Sequence, residues 1–331
     1  VGAYLINDAM NPEDKVGLFA DMTVFTSYAM QVVSAFMMLV MIFIILPRAI
    51  VSARRINEVL STNPKILNGT VTETAESDKG TIEFKNVSFK YPDASDYVLR
   101  DISFKAEKGK TIAFIGATGS GKSTLINLIP RFYDATDGDV LVDGVNVKEY
   151  DIESLNNKLG YVPQKAVMFS GTVSSNVAYG NNGRDNYSAD DIKQAIKIAQ
   201  GTEFVEKMEN QYEGAIAQGG SNISGGQKQR LAIARAVCRK PEIYIFDDSF
   251  SALDYKTDRV LRSELKKETA GTTTLIVAQR IGTIKDADCI IVLDKGNMVG
   301  KGTHSELMKN CEVYQQIALS QLSKEELGND E

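Results

Sequence analysis

Apolar residues are distributed very unevenly along the chain. Residues 22–47 form 26 consecutive positions without a charged side chain, and as a helix they would be about 39 Å long. That length exceeds the hydrocarbon core of a bilayer, which is roughly 30 Å thick. A buried core helix is the alternative. The length of the run, and Arg48, Arg54 and Arg55 just beyond it, favour a membrane-spanning helix whose C-terminal end lies in the cytoplasm.

A short polar segment precedes this run. Residues 7–17 contain Pro12 and several charged side chains, which is typical of an external loop. A signal peptide is excluded because the apolar run is too long and has no early basic flank. We therefore expect residues 1–60 to be the end of a transmembrane domain, with an external loop, the final membrane helix and a cytoplasmic extension. The first residues read as the end of an earlier apolar helix, so we interpret the chain as the C-terminal part of a longer protein.

The hydrophobic pattern changes after the predicted membrane helix. Residues 61–80 are polar, rich in threonine and interrupted by Pro64 and Gly69, as expected of a linker. We expect a folded domain over residues 81–320, and the acidic residues 321–331 read as a frayed tail.

Strand and helix patterns alternate within the expected domain. Apolar side chains at Ile82, Phe84, Val87 and Phe89 predict an early strand. The Asp-Gly pair within residues 140–147 predicts a tight hairpin. Later strands alternate with helical stretches, which indicates an α/β fold.

Charge and cysteine content narrow the class of protein. The chain has 37 basic and 43 acidic residues and a net charge of -6, so it lacks the basic balance of a nucleic-acid binder and we expect no nucleic-acid partner. Cys238, Cys289 and Cys311 are far apart and form no C-x-x-C pattern. They indicate a reducing, cytosolic environment rather than a disulfide framework.

A glycine-rich segment carries the clearest chemical signal. The sequence TIAFIGATGSGKSTLINLI predicts a strand, a loop and a helix, and Gly116, Gly121, Lys122 and Ser123 match G-x-x-x-x-G-K-[ST]. The glycines let backbone N–H groups surround phosphate oxygens, and Lys122 is expected to reach the β- and γ-phosphates. We therefore predict a nucleotide phosphate site made by Gly116, Ala117, Thr118, Gly119, Ser120, Gly121, Lys122, Ser123 and Thr124.

A second strand supplies a carboxylate for the same site. Residues 242–249, EIYIFDDS, contain a hydrophobic strand followed by Asp247, which should emerge at the C-terminal end of that strand. We expect Asp247 to bind Mg²⁺ together with the Ser123 hydroxyl.

Another glycine pair precedes a helix. Ser224, Gly225, Gly226 and Gln227 lead directly into a helical pattern, so they form either a second anion site or a plain helix cap. With the glycine loop and Asp247 on one chain, these residues resemble the ATP-binding-cassette (ABC) family, whose signature is LSGGQ.

The resemblance covers nearly the whole chain and implies a fold and a function. It implies an α/β P-loop NTPase fold with a RecA-like core, an antiparallel β subdomain and an α-helical subdomain, preceded by a transmembrane α-helix. The cofactors implied are ATP and Mg²⁺. Residues 1–60 resemble the last helices of exporter half-transporters, which implies a multidrug or lipid exporter in the plasma membrane with its nucleotide-binding domain in the cytoplasm.

Individual positions match further family motifs. Tyr91 matches the aromatic residue that stacks on adenine, and Gln164 matches the Q-loop glutamine that approaches Mg²⁺ and the attacking water. Residues 251–254 match the D-loop that crosses to the partner domain. Alone, each of these would pass as an ordinary strand, loop or turn residue.

Two catalytic positions depart from the family pattern. Asp248 stands where the family has the glutamate that acts as general base, and Gln279 stands where it has a histidine that contacts the γ-phosphate. Aspartate is one methylene shorter, and errors of about 1 Å can cost on the order of 100-fold in rate. The only histidine, His304, lies in a downstream turn motif where we expect a capping or surface role. The predicted catalytic group is therefore Asp248, Gln279 and Gln164.

These departures resemble the degenerate-site subunit of a heterodimeric exporter. The resemblance implies a second half-transporter chain with the glutamate and histidine restored, whose active site the intact signature of this chain completes. Membrane lipid and a hydrophobic small-molecule substrate are the other partners implied. Open alternatives are a self-sufficient homodimer, a soluble ABC protein acting on ribosomes or DNA, an importer ATPase, and a nucleotide-gated regulatory or channel-like subunit.

Overall fold

A computed structural model describes residues 1–180 and 187–321. Contacts divide the chain after Lys65 into two units. Residues 322–331, which make up nearly all of the predicted acidic tail, lie outside the described residues.

The first unit is helical. Helix α1 spans Gly2–Asp8 and α2 spans Pro12–Leu60, 49 residues that include Pro47. Among the described residues, α2 is the one helix long and apolar enough to cross a membrane. The polar segment between α1 and α2 is shorter than the predicted loop, because α2 already begins at Pro12. Proline is favoured in the first turn of a helix, where its missing N–H would have no partner. Glu13 and Asp14 also favour that end, because their negative charges interact with the helix dipole.

The second unit contains twelve strands and ten further α-helices among the described residues. The strands are β1 (Ile82–Phe89), β2 (Leu99–Ala106), β3 (Thr111–Ile115), β4 (Asp137–Val142), β5 (Val145–Asn146), β6 (Leu159–Val162), β7 (Gly171–Thr172), β8 (Ala215–Ile216), β9 (Ile243–Asp247), β10 (Thr273–Val277), β11 (Cys289–Asp294) and β12 (Asn297–Gly302). The helices are α3 (Lys122–Asn127), α4 (Ile152–Asn157), α5 (Val173–Val177), α6 (Ala189–Ile198), α7 (Thr202–Glu206), α8 (Gly225–Cys238), α9 (Tyr255–Glu268), α10 (Ile281–Ile284), α11 (His304–Asn310) and α12 (Glu312–Gln321).

These strands form two main sheets. The antiparallel sheet has the order β2-β1-β4-β5, and the larger sheet has the order β12-β11-β3-β10-β9-β6. In the larger sheet all neighbours run parallel except β12, which is antiparallel to β11. Helices α5 to α8 and the short pair β7-β8 pack beside it as a helical subdomain. The predicted P-loop NTPase fold with an antiparallel and a helical subdomain is confirmed.

The predicted hairpin forms at Asp143 and Gly144, which both have positive φ, 51° and 77°. Such a turn matches the twist of the strands it joins. The Asp143 carboxylate is buried, where it accepts from the Gly80 backbone N–H at 2.7 Å and from Lys158 Nζ at 2.7 Å. The Gly80 hydrogen bond ties the end of the predicted linker to this ion pair.

Two hydrophobic clusters share one residue of the large sheet. One cluster joins the helical subdomain to the sheet, and another joins the sheet to α10, α11 and α12. Ile276 on β10 is half-buried and packs against both.

Candidate functional site

The glycine loop connects β3 to α3 and leaves little room for side chains. A β-carbon on Gly116 would collide with the carbonyl oxygen of Leu293, and Gly121, the residue that precedes α3, has a φ of 99°. L-residues with side chains rarely adopt this backbone. The predicted strand, loop and helix are therefore enforced by glycine at both ends of the loop.

Lys122 is buried beneath this loop. Its Nζ donates to the carbonyl oxygens of Gly116 and Ala117, both at 2.8 Å, and lies 3.4 Å from Ser120 Oγ. Burial lowers the pKa of Lys122, while the charges of Asp248 and Asp247 act in the opposite direction. The ammonium group is thus held among loop atoms and close to the carboxylates of the adjacent strand end.

Ser123 and Asp247 lie together, as the sequence predicts. Ser123 Oγ donates to Asp247 Oδ1 at 2.8 Å, and Asp247 ends β9 at its C-terminal edge. Burial raises the pKa of Asp247, and the Ser123 hydrogen bond opposes that shift.

A hydroxyl and a carboxylate are oxygen ligands of the kind Mg²⁺ prefers, so these residues fit that cation. Among the described residues, no group of three or more acidic, histidine or cysteine side chains is placed to hold a metal ion. When bound, Mg²⁺ neutralises phosphate charge.

Tyr161 is a residue near Asp247 that the sequence did not single out. Its hydroxyl donates to Asn127 Oδ1 at 2.9 Å. Burial raises the pKa of the Tyr161 phenol, and Asp247 lies near enough for the charge of its carboxylate to raise that pKa further. The sequence feature that could have identified Tyr161 is its position three residues before Gln164, on β6, which is the strand next to β9.

The three predicted catalytic residues meet at one oxygen atom. Asp248 Oδ2 accepts from Gln279 Nε2 at 2.6 Å and from Gln164 Nε2 at 3.2 Å. Burial raises the pKa of Asp248, and the two glutamine hydrogen bonds oppose this. Asp248 has a φ of 45°, a left-handed backbone, and its N–H donates to the Val277 carbonyl oxygen at 2.9 Å.

Gln321 holds the backbone on both sides of this group, and no sequence motif pointed to it. Its Nε2 donates to the Gln279 carbonyl oxygen at 2.7 Å, and its Oε1 accepts from the Ile281 N–H at 2.9 Å. One amide at the end of α12 therefore fixes the start of α10.

Tyr91 is half-buried beside the glycine-loop helix. Its hydroxyl lies 2.9 Å from Thr124 Oγ1, and its ring packs edge-on against Phe89 and Tyr133. Its predicted stacking on adenine stays a prediction.

The signature residues cap α8. Ser224 Oγ accepts from the Gln227 N–H at 3.3 Å, and Gln227 Oε1 accepts from the Ser224 N–H at 2.8 Å. Gly225 and Gly226 form the first turn between them. Within the parts of the chain that the structure describes, no hydrogen bond joins these residues to the glycine loop, and their predicted contact with nucleotide remains a prediction.

Comparisons with known proteins agree with this geometry. A family model described as ABC transporter matches residues 99–251. An uncharacterized ABC transporter ATP-binding protein of Mycobacterium tuberculosis is 45% identical over 305 residues, which cover 90% of this chain and 51% of that protein. The ATP-dependent lipid A-core flippase of Haemophilus influenzae is 39% identical over 276 residues, which cover 83% of this chain and 46% of the flippase.

A solved structure is similar over nearly all of the chain. The structure of a bacterial Atm1-family ABC exporter with ATP bound matches at 30% identity and a TM-score of 0.78, covering 94% of this chain and 53% of that one. The chain spans about half the length of the relatives that it matches. The fold, the site and these matches together show that the chain carries an ABC transporter nucleotide-binding domain.

Proposed function

We propose that the chain is one subunit of a heterodimeric ABC exporter, in which its own ATP site turns over slowly and its signature completes the active site of a different partner chain. The observation that carries this proposal is the 2.6 Å hydrogen bond from Gln279 Nε2 to Asp248 Oδ2. It joins the two residues that depart from the family pattern.

The chemistry of this pair disfavours fast hydrolysis. A general base must present a carboxylate oxygen to the attacking water, and one of the two oxygens of Asp248, Oδ2, already accepts from the amides of Gln279 and Gln164. An amide cannot exchange a proton near neutral pH as an imidazole does. The single histidine of the chain, His304, lies on α11, where its Nδ1 is 2.7 Å from the Tyr314 hydroxyl.

The predicted binding residues, in contrast, match the family pattern. Lys122 lies against the glycine loop and Ser123 contacts Asp247, which supports binding of ATP and Mg²⁺. The signature residues, 224–227, keep the sequence and the helix start that would point at a nucleotide of the partner. Unchanged binding motifs beside two altered catalytic positions support slow turnover at this site rather than loss of the whole domain's function.

The proposed substrate and location are supported by the membrane helix and by one relative. Helix α2 supports a plasma-membrane protein with this domain in the cytoplasm. The name of the lipid A-core flippase supports efflux of lipids, and hydrophobic drugs are the other substrate class that the family resemblance implies. ATP binding and hydrolysis would drive that efflux.

Steady-state ATPase activity of the full-length chain alone tests the proposal. The parent should be nearly silent, and the Asp248→Glu, Gln279→His double variant should gain activity. Adding Lys122→Ala to the double variant should abolish the gain and so assigns it to this site. A parent that hydrolyses ATP at the rate of the double variant would instead mean a self-sufficient homodimer.

A further inference from the structure

A cavity of about 310 Å³ lies between α9 and α10, over β10. Helix α9 contributes Arg259, Arg262 and Lys266 to its wall, α10 contributes Thr283, and β10 contributes Ile276. Its volume is within the range of small-molecule sites, roughly 300–1,000 Å³. None of the residues that we assign to the nucleotide site lines it.

The floor of the cavity is apolar. Phe250, Leu265 and Ala287 are buried side chains that line it. Ile276 is only half-buried, although it belongs to an inner strand and packs against two hydrophobic clusters. The cavity therefore marks a gap where these two clusters meet, and an apolar group would fill it.

The rim of the cavity is cationic. Arg262 already has protein partners, because it pairs with Asp258 at 3.0 Å and donates to the Gly282 carbonyl oxygen at 2.9 Å. Arg259 and Lys266 are exposed, and among the described residues neither makes a hydrogen bond or an ion pair. Asp286 is the one carboxylate of the wall. An apolar floor below two unpaired cations suits a small molecule with an apolar body and one carboxylate.

Both helices that form the cavity begin at loops of the nucleotide site. Helix α9 starts after Asp254, in the predicted D-loop, and α10 starts two residues after Gln279. The Arg262 bond to Gly282 joins the two helices across the cavity. An occupant would therefore touch the two elements that hold these loops in place.

We propose that this cavity is a regulatory site for a small amphipathic carboxylate. The apolar body packs on Ile276 and Leu265, and the carboxylate pairs with Arg259 and Lys266. The site does not depend on whether the transporter is a heterodimer or a homodimer.

Binding of 2-naphthoate to the whole transporter in lipid nanodiscs tests the proposal, with empty nanodiscs to correct for partition into lipid. Ligand-detected NMR should show binding to the parent. The Arg259→Glu, Lys266→Glu pair should weaken it about tenfold or more, because a charge-assisted contact is lost. The Lys267→Glu, Lys285→Glu pair makes the same charge change at exposed positions that do not line the cavity and should leave binding unchanged.

Three further measurements complete the test. Ile276→Trp should fill the cavity and prevent binding, Asp286→Asn should strengthen binding, and saturating 2-naphthoate should change the affinity for ATP by about fivefold or more. If Ile276→Trp does not fold, the comparison of the two surface pairs, the Arg259→Glu, Lys266→Glu variant and the Lys267→Glu, Lys285→Glu variant, tests the site by itself. Equal binding by both surface pairs, or equally tight binding of neutral 2-naphthalenemethanol, would overturn carboxylate recognition. An unchanged ATP affinity at saturation would overturn the regulatory role.

Discussion

Gln279 Nε2 lies 2.6 Å from Asp248 Oδ2, so the two side chains that depart from the family pattern are bonded directly to each other. The amide donates to the carboxylate, and Asp248 is buried whereas Gln279 is exposed, so Asp248 is the partner that is costly to leave unsatisfied. Changing one of them alone therefore removes a hydrogen bond without restoring the glutamate and histidine pair.

We expect the two reversions to be strongly non-additive. The Asp248→Glu, Gln279→His double variant should raise kcat by on the order of 100-fold, the scale of a 1 Å misplacement. Each single variant should recover less than a tenth of that gain, because residues that act as a unit do not contribute independently. Steady-state kcat of all four chains, each at saturating Mg-ATP, measures this. Two single gains that multiply to the double gain would show that the pair is not a unit.

The raised pKa of Asp248 predicts how stability depends on pH. Its folded pKa lies above the ordinary 3.8 because the carboxylate is buried, so the folded chain binds this proton more readily than the unfolded chain. Stability contributed by this group therefore rises as the pH falls through the folded pKa and levels off below 3.8. We expect the thermal midpoint of the parent to rise relative to that of Asp248→Asn as the pH falls from 7 to 4.

Asp248→Asn removes this titrating group and keeps every other one, of which Asp247 and Lys122 also lose the effect of the Asp248 charge on their pKa values. A gap between parent and Asp248→Asn that stays constant with pH would contradict a raised folded pKa.

The buried ion pair between Lys158 and Asp143 predicts a large effect on stability. Lys158 Nζ lies 2.7 Å from Asp143 Oδ2, and the Asp143 side chain has no exposed surface. Lys158→Met should lower the free energy of unfolding by about 3–5 kcal/mol, because it leaves a buried carboxylate without its cation. Lys207→Met is the control, since it breaks an exposed pair with Glu203 and should change little. Chemical denaturation of the three chains measures both effects, and equal losses would refute the distinction.

The parts of this site that the sequence predicts are those whose residues lie close together in the chain. The glycine loop and the place of Asp247 were predictable because a strand, a turn and a helix start are local patterns. The contact between Gln164, Asp248 and Gln279 followed from family resemblance rather than from spacing. Neither route gave Gln321, whose partners lie about forty residues away and whose role depends on how α12 packs.

Polar patterning was less reliable than apolar patterning at the N-terminus. The apolar run is helical as predicted, but the polar residues before it also join α2. Proline and acidic side chains at a helix start favour the helix as strongly as they favour a loop, so this boundary could not be fixed from composition.

The Tyr161 hydroxyl predicts a dependence of ATP binding on magnesium concentration. It donates to Asn127 and lies near Asp247, a predicted magnesium ligand, so it forms part of the surroundings of that carboxylate. Tyr161→Phe should raise the Mg²⁺ concentration needed for half-maximal ATP binding by about tenfold, the lower end for such supporting residues. The affinity for ATP measured without Mg²⁺ should not change. Tyr97→Phe is the matched control, because its hydroxyl bonds an exposed carboxylate, Asp137, at 2.8 Å. The same shift in both variants would remove the supporting role.

Gln321 predicts that the last helix controls the catalytic group. Its amide bonds the Gln279 carbonyl oxygen and the Ile281 N–H, and therefore fixes the backbone that carries the Gln279 side chain. In the Asp248→Glu, Gln279→His background, Gln321→Ala should lower kcat roughly tenfold, the value of one or two such hydrogen bonds, with little change in KM. Gln321→Glu keeps the acceptor and loses the donor, so its kcat should fall in between. Gln316→Ala is the control on the same helix, because its amide bonds only Glu312. If Gln316→Ala lowers kcat as much as Gln321→Ala, the effect is a general loosening of α12 rather than the positioning of the residue at 279.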